Sequence, residues 1–140
     1  MKKQSLYFVT MFLLAGILVS ACSGGTSASL TGTWKLVSYG PPAKPAPAEA
    51  DVDTSIEFGS DGTLNGNVGC NGFGGDYKVE GDMITFGSIV STMMFCEGPA
   101  GDQELGTLAV LRESANYVLD GDMLTITSGD GSAVIVLARK

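Results

Sequence analysis

The fold is decided by Tyr77-Lys-Val-Glu-Gly-Asp-Met-Ile-Thr-Phe86 and by its near copy, Tyr117-Val-Leu-Asp-Gly-Asp-Met-Leu-Thr-Ile126. Each stretch sets an acidic residue, glycine and aspartate between two short runs of β-forming residues. Glycine accepts a positive φ freely and aspartate tolerates one, so each stretch predicts a β-hairpin. The second strand alternates, with Ile84 and Phe86 on one face and Thr85 on the other. The chain therefore uses one hairpin design twice, as expected of an antiparallel, mainly β protein.

Similar turn signals at residues 61–62 and 129–131 divide the rest of the chain. We expect about eight antiparallel strands, over residues 33–39, 54–59, 63–68, 76–79, 83–86, 117–119, 123–127 and 132–138. A meander of this size predicts a single small domain (α+β, mainly β) that is curled or barrel-like. The alternative is an immunoglobulin-like sandwich, which usually has its tryptophan between two cysteines. Here Trp34 precedes both Cys70 and Cys96.

One short helix is expected near residues 102–112. Asp102 is the predicted N-cap, and the apolar stripe of the helix would be formed by Leu105, Leu108, Ala109 and Arg112. The last strand, residues 133–138, is apolar without alternation, so both of its faces should be covered, one of them by this helix.

Residues 40–50 hold four of the five prolines. Because proline cannot donate to a ladder, this segment predicts an exposed, polyproline-like loop rather than a central strand.

The N-terminus carries an export signal. Lys2 and Lys3 precede a 14-residue apolar run, residues 6–19, which is too short to span a bilayer. The run ends in Leu18-Val-Ser-Ala-Cys22, which resembles the bacterial lipoprotein box. We therefore expect a signal peptide at 1–21, a lipidated Cys22, a flexible tether at 22–29 and a folded domain at 30–140. The alternative is an ordinary cleaved signal with a free Cys22 thiol.

The charge excludes several partners. Removing residues 1–21 takes away two of eight Lys and Arg residues and no acidic residue, leaving six basic and 15 acidic residues and a net charge of −9. Such a chain would be repelled by nucleic acid and by anionic headgroups, so membrane attachment must come from lipid. We expect a monomer, with an envelope protein or a small apolar ligand as its partner.

Acylation of Cys22 would leave Cys70 and Cys96, which export places where disulfides persist. A disulfide between them is the favoured interpretation, and two unpaired buried thiols are the alternative. The pair would close a loop of 26 residues.

No catalytic or cofactor signature is present. The chain has no histidine, which excludes Ser-His-Asp, Cys-His and imidazole–zinc chemistry. A Ser–Lys dyad has no nucleophile motif near Lys35 or Lys78. The acidic pairs at 51–53 and 120–122, with Asp130, do not follow a calcium-loop pattern, so turn residues and surface charge explain them better. We expect no catalytic residue, no metal and no cofactor.

The glycine-rich stretch at 66–75 invites comparison with a phosphate-binding loop. It leads into a strand rather than a helix, and its surroundings are acidic. We interpret it as a crossover that holds Cys70 and lets backbones approach closely.

Several spaced motifs together resemble the META domain of HslJ-like bacterial proteins. They are Leu30-Thr-Gly-Thr-Trp34, Phe58-x-x-Asp-Gly62, Gly69-Cys-Asn-x-Phe-x-Gly-x-Tyr77, Thr92-x-Met-x-Cys96, Glu104, Leu111 and Gly121-Asp-x-Leu-x-Ile126. The resemblance spans residues 30–140. It implies a small antiparallel β-domain with one helix, often exported and lipid-anchored, that is associated with stress or envelope phenotypes and with no established enzymatic activity. It also implies the Cys70–Cys96 pair and a motif formed by Gly69, Cys70, Asn71, Thr92, Met94 and Cys96.

Two functions follow as expectations. The first is a non-enzymatic, lipid-anchored envelope protein that binds a partner or maintains the envelope under stress. The second is a carrier of a small apolar ligand in the barrel interior. Five adaptable or aromatic side chains could line such a pocket, although simple core filling accounts for them better: Met83, Met93, Met94, Phe95 and Met123.

Overall fold

A computed structural model describes residues 29–140, so the predicted signal peptide, Cys22 and most of the predicted tether lie outside the described residues. Ten strands and one helix follow one another along this part of the chain. They are β1 (Gly32–Gly40), β2 (Ala46–Pro47), β3 (Ser55–Phe58), β4 (Thr63–Asn67), β5 (Gly72–Glu80), β6 (Met83–Phe86), β7 (Val90–Ser91), α1 (Gly98–Val110), β8 (Ser114–Asp120), β9 (Met123–Ser128) and β10 (Val134–Arg139).

Eight of the strands form a closed antiparallel barrel in the order β1-β3-β4-β5-β6-β8-β9-β10, and β10 pairs back with β1. The prediction of a barrel-like domain of about eight antiparallel strands with one short helix is confirmed. The two additional strands, β2 and β7, pair only at the margins of β1 and β5. The four predicted hairpin turns each carry a glycine at positive φ, at Gly62, Gly81, Gly121 and Gly131.

The barrel interior is filled with apolar side chains, which alternate along each strand with outward-facing residues. Eleven of them are at most 1% exposed: Trp34, Leu36, Ile56, Phe58, Leu64, Ile84, Ala115, Leu124, Ile126, Ile135 and Leu137. Val110 and Leu111, at the end of α1, join the same core.

The register of the strands defines two opposite ends of the barrel. At the tether end, β1 begins at Gly32 beside the last residues of β3 and β10, and Arg139 donates to the backbone oxygens of Ser29 and Thr31. At the helix end, the Tyr39 ring near the end of β1 lies against Gly106 of α1.

The helix differs from its prediction. It begins at Gly98, with Glu97 rather than Asp102 as its N-cap, and ends at Val110. Leu105 is 71% exposed, Ala109 is exposed, and Arg112 lies beyond the end of the helix, so the predicted apolar stripe is wrong at these three positions. Leu108 is partly buried and packs against the core. The buried face consists instead of Gly101, Gln103, Glu104, Thr107 and Val110, because α1 packs partly against backbone groups of loops rather than against an apolar sheet face alone.

Three further predictions need correction. Residues 66–75 do not form a crossover; β4 and β5 are adjacent antiparallel strands joined by a short turn at 68–71. Within the proline-rich loop, Ala46–Pro47 pairs at the edge of β1 while the segment stays largely exposed. In β10, Val136 and Ala138 are only partly buried, so the second face of this strand is less covered than predicted.

The five side chains considered for an interior pocket or core all lie on the surface. Their exposures range from 40% for Met123 to 97% for Met93. Met83 and Met123 face outward because Ile84 and Leu124, at the next positions, occupy the interior. Met93, Met94 and Phe95 lie in the loop between β7 and α1.

Candidate functional site

Two parts of the chain that are distant in sequence meet at the helix end: the β4–β5 turn at residues 68–71, and the segment at 92–96 together with α1, which follows it. Cys70 of the turn and Cys96 of the segment form a disulfide, with their Cα atoms 5.8 Å apart. The predicted pairing is therefore present. The bond fixes the segment at 92–96 to the barrel at the point where it leads into α1.

A buried carboxylate joins the helix to the turn. Glu104 accepts hydrogen bonds from the backbone N–H groups of Cys70 (2.8 Å) and Asn71 (2.7 Å) through Oε2. Its Oε1 accepts a third bond from Asn71 Nδ2, at 2.7 Å. Three donors on one carboxylate satisfy a group that would otherwise be costly to bury.

The Asn71 side chain carries the connection onward to the segment at 92–96. Its Oδ1 accepts hydrogen bonds from the Thr92 hydroxyl and from the Met94 N–H, both at 2.8 Å, while its Nδ2 also donates to the Met94 oxygen at 3.1 Å. The Asn71 amide thus forms hydrogen bonds through both its oxygen and its nitrogen, and it bonds both the N–H and the C=O of Met94.

Gln103 makes a second connection beside the first. Its Nε2 donates to the Val68 oxygen at 2.6 Å, and its Oε1 accepts from the Glu49 N–H at 2.7 Å. Gly69 allows the close approach of the helix, because a Cβ there would lie 2.7 Å from both the Ala100 oxygen and Glu104. We call this arrangement of disulfide and hydrogen bonds the polar clasp.

The polar clasp presents an apolar surface. The side chains of Met93, Met94 and Phe95 are 97%, 60% and 87% exposed, although the backbone beneath them is fixed. We call these three residues the apolar loop. Large exposed apolar groups that are contiguous, rather than scattered singly, are typical of interaction sites.

The surroundings of the apolar loop are acidic. Glu97 and Asp102 are exposed, and no Lys or Arg occurs between residues 79 and 111. Burial raises the pKa of the Tyr39 hydroxyl at this end of the barrel, and the negative charges of Glu49 and Asp102 raise it further. The helix end is thus both apolar and electronegative.

The structure brings together all six residues of the predicted motif: Gly69, Cys70, Asn71, Thr92, Met94 and Cys96. Met94 takes part through its backbone and not through its sulfur. Sequence reasoning missed the roles of Glu104 and Gln103, since a polar pair inside a helix has no local pattern that marks it as buried. The one signal was the place of Glu104 among the residues that carry the family resemblance. Cys22, the predicted lipidation site, lies outside the described residues.

Within residues 29–140, no three Cys, Asp or Glu side chains cluster closely enough to hold a metal ion. None of the helical structure described there is long and apolar enough to cross a membrane.

The fold and the site define a class: a single-domain, eight-stranded antiparallel barrel in which a disulfide and one helix fix an exposed loop at one end. The model of the META domain family matches residues 28–140, and the chain belongs to this family.

Solved structures share the fold at low sequence identity. A protein from Burkholderia xenovorans, solved by NMR, is 18% identical with a TM-score of 0.64, covering 78% of this chain and 81% of its own. A second NMR structure is 24% identical with a TM-score of 0.57, covering 75% and 86%. A DUF4847 family protein from Bacteroides vulgatus ATCC 8482 is 17% identical with a TM-score of 0.56, covering 79% and 93%. No protein with a curated description matches the sequence.

Proposed function

We propose that this chain is a non-enzymatic, lipid-anchored protein of the cell envelope whose META domain binds a partner protein through the apolar loop and supports the envelope under stress. The observation that carries the proposal is the exposure of Met93 and Phe95 on a backbone fixed by a disulfide and a buried carboxylate. A fixed surface loses little conformational entropy on binding, so it favours a specific partner.

The geometry of the barrel supports a partner that binds on the side of the domain away from the anchoring membrane. Residue 29 leaves the barrel at the tether end, whereas the apolar loop lies at the helix end. A lipid on Cys22 would hold the tether end toward the membrane. The apolar loop would then face away from that membrane, toward an envelope protein.

The charge of the helix end favours one kind of partner surface over others. Glu97 and Asp102 favour a basic rim around an apolar socket that accepts Phe95 and Met93, and they disfavour an anionic lipid surface. Aromatic and methionine side chains are enriched at the centres of protein interfaces, where they fill such sockets.

The alternative of a small-ligand carrier has less support. The residues proposed to line its pocket are exposed, and the barrel interior is occupied by Trp34, Phe58 and other core side chains. The apolar loop therefore supports binding of a protein partner better than transport of a small ligand.

Photo-crosslinking in the native host tests the proposal. We would replace Phe95 with p-benzoylphenylalanine, and use the same replacement at Val118, which is 66% exposed on β8, as the control. We expect a protein adduct from position 95 that is absent from position 118. The adduct should disappear when Cys70 and Cys96 are both changed to alanine, because the apolar loop is then no longer fixed.

Sensitivity to envelope stress tests whether the contact made by Phe95 matters for the cell envelope. Phe95→Ser should reproduce the sensitivity of a deletion strain to envelope stress, while Val118→Ser should not. The proposal would be overturned by equal adducts from both positions, by an adduct that survives loss of the disulfide, or by a deletion strain indistinguishable from the parent.

A further inference from the structure

The wall of the domain opens beside the end of α1. β6 pairs with β8 only through residues 83–85, after which the chain turns away into β7. A cleft of about 410 Å³ lies between this turn and the helix, with Gly87, Ile89 and Ser91 on one side and Leu108, Leu111 and Arg112 on the other. Its volume is within the range of roughly 300–1,000 Å³ that is usual for ligand pockets.

An open strand edge borders the cleft. Among the described strands, β7 pairs with β5 and with no other. The bond from Thr92 N–H to the Gly72 oxygen (3.0 Å) makes these two residues a hydrogen-bonded pair. Ser91, opposite Phe73, is then in a non-hydrogen-bonded pair, so its own N–H and C=O point away from β5. These backbone groups are available to an added strand.

The floor of the cleft is apolar. Leu111 is fully buried, while Ile89 and Leu108 are partly buried and pack on the core. The side of the cleft that carries Leu111 and Arg112 is fixed at Glu113, which has a positive φ of 53° and whose backbone oxygen accepts a hydrogen bond from the Phe86 N–H at 2.6 Å. Non-glycine residues with positive φ are uncommon and are often found at functional sites.

Arg112 and Glu113 are the two charged residues that line the cleft, and both are exposed. Arg112 is the only Lys or Arg between Lys78 and Arg139, and it is exposed. The ion pairs of residues 29–140 involve Arg139 and Lys140 and leave Arg112 without a carboxylate. A guanidinium group binds a carboxylate through two parallel hydrogen bonds. Arg112 should therefore bind a free C-terminal carboxylate more strongly than an uncharged C-terminal group.

We propose that this cleft binds the C-terminal end of an extended peptide from another protein. The peptide backbone adds to β7 at Ser91, its last apolar side chain packs on the floor formed by Ile89 and Leu108, and its carboxylate pairs with Arg112. Such binding combines addition of a β-strand at an open edge with an ion pair that recognises the C-terminus of the peptide. The chain's own residues 139–140 lie at the tether end and do not reach the cleft. The site is separate from the apolar loop and does not depend on its function.

An NMR titration of the uniformly ¹⁵N-labelled full chain tests the proposal. The probe is a pool of pentapeptides with random first residues and Leu, Ile, Val or Phe last, prepared with either a free or an amidated C-terminus. We expect shifts concentrated at residues 87–91 and 108–113, with binding at least tenfold weaker for the amidated pool. Arg112→Gln should weaken binding by the same factor, and Ile89→Ser should also weaken it.

Two control variants show whether binding is specific to the cleft. Lys78→Gln removes one positive charge elsewhere on the surface and should leave peptide binding unchanged. Phe95→Ser changes the apolar loop and should also leave it unchanged. The proposal is overturned by an absence of shifts at the cleft, by equal binding of the two pools, by full binding to Arg112→Gln, or by the same shifts appearing when protein concentration alone is raised.

Discussion

The carboxylate of Glu104 contacts Asn71 at two points, its backbone N–H and its side-chain Nδ2, each at 2.7 Å. The two residues are 33 positions apart, on the helix and on the β4–β5 turn. This relationship places a buried acid where it satisfies the donors of a turn and, through Asn71, fixes the backbone that presents the apolar loop.

Glu104→Gln should destabilise the domain by about 2–3 kcal/mol, because the new NH₂ group would face N–H donors and leave buried polar groups without partners. Glu97→Gln is the matched control, since Glu97 is exposed and its side chain makes no capping bond. We expect that variant to remain within about 0.5 kcal/mol of the parent. Urea unfolding, monitored by circular dichroism, measures the stability of both variants. Equal midpoints for Glu104→Gln and Glu97→Gln would contradict the assigned role of Glu104.

Replacing Cys70 and Cys96 together by alanine should lower the free energy of unfolding by about 3 kcal/mol, as the chain-entropy model gives for a separation of 26 residues. Because the disulfide and Glu104 fix the same turn, adding Glu104→Gln should cost less than it does in the parent. Reductant should destabilise the parent and leave the double alanine variant unchanged. Strict additivity of the two effects would show that they act independently.

The hairpins could be predicted from sequence because their information is local. Asp61-Gly62 and the repeated Gly-Asp-Met turns specify a tight reversal within a few residues, and Ile84 and Phe86 mark the inner face by simple alternation. Closure of the barrel follows from pairing of β1 with β10, about 100 residues apart. No short pattern encodes that pairing directly.

The site was only partly predictable. Cysteine parity and the family motif indicated the disulfide, but the buried positions of Gln103 and Glu104 depend on backbone groups 33 to 35 residues away. The opposite error was made for Leu105 and Met93, which were expected to be buried and are exposed. Periodicity and hydrophobicity predict burial, whereas these side chains remain exposed because polar contacts, rather than apolar ones, fix their segments.

Two glycines of the same hairpin should differ in their response to alanine. A Cβ at Gly66 would lie 2.5 Å from the Ser55 oxygen and 2.6 Å from the Phe73 ring, whereas at Gly72 its nearest neighbour would be 3.9 Å away. Gly66→Ala should therefore cost about 1–3 kcal/mol through overpacking. Gly72→Ala should be neutral or stabilising by up to about 1 kcal/mol. Thermal unfolding of the pair measures the contrast, and similar losses in both would contradict the close approach at Gly66.

Asp130 should make stability depend on pH. Hydrogen bonds from the Ser128 hydroxyl and from Ser132 lower the pKa of this carboxyl from 3.8 to about 2. A folded-state pKa below the unfolded value adds stability above about pH 4, which is lost as the pH falls toward 2. The difference in stability between the parent and Asp130→Asn should shrink across this window. Carboxyl NMR should give a midpoint near 2 that Ser132→Ala raises, and a parent midpoint near 3.8 would refute the assignment.

Cys22→Ser tests the proposed anchor separately from the domain. We expect the parent to fractionate with membranes, with a mature mass that exceeds that of residues 22–140 by the added acyl groups. The variant should leave the membrane fraction while keeping the parent's unfolding midpoint, because Cys22 precedes the folded barrel. The variant with Cys70 and Cys96 both replaced by alanine is the control and should stay in the membrane fraction. A mature N-terminus without acyl groups would exclude lipid as the link to the membrane.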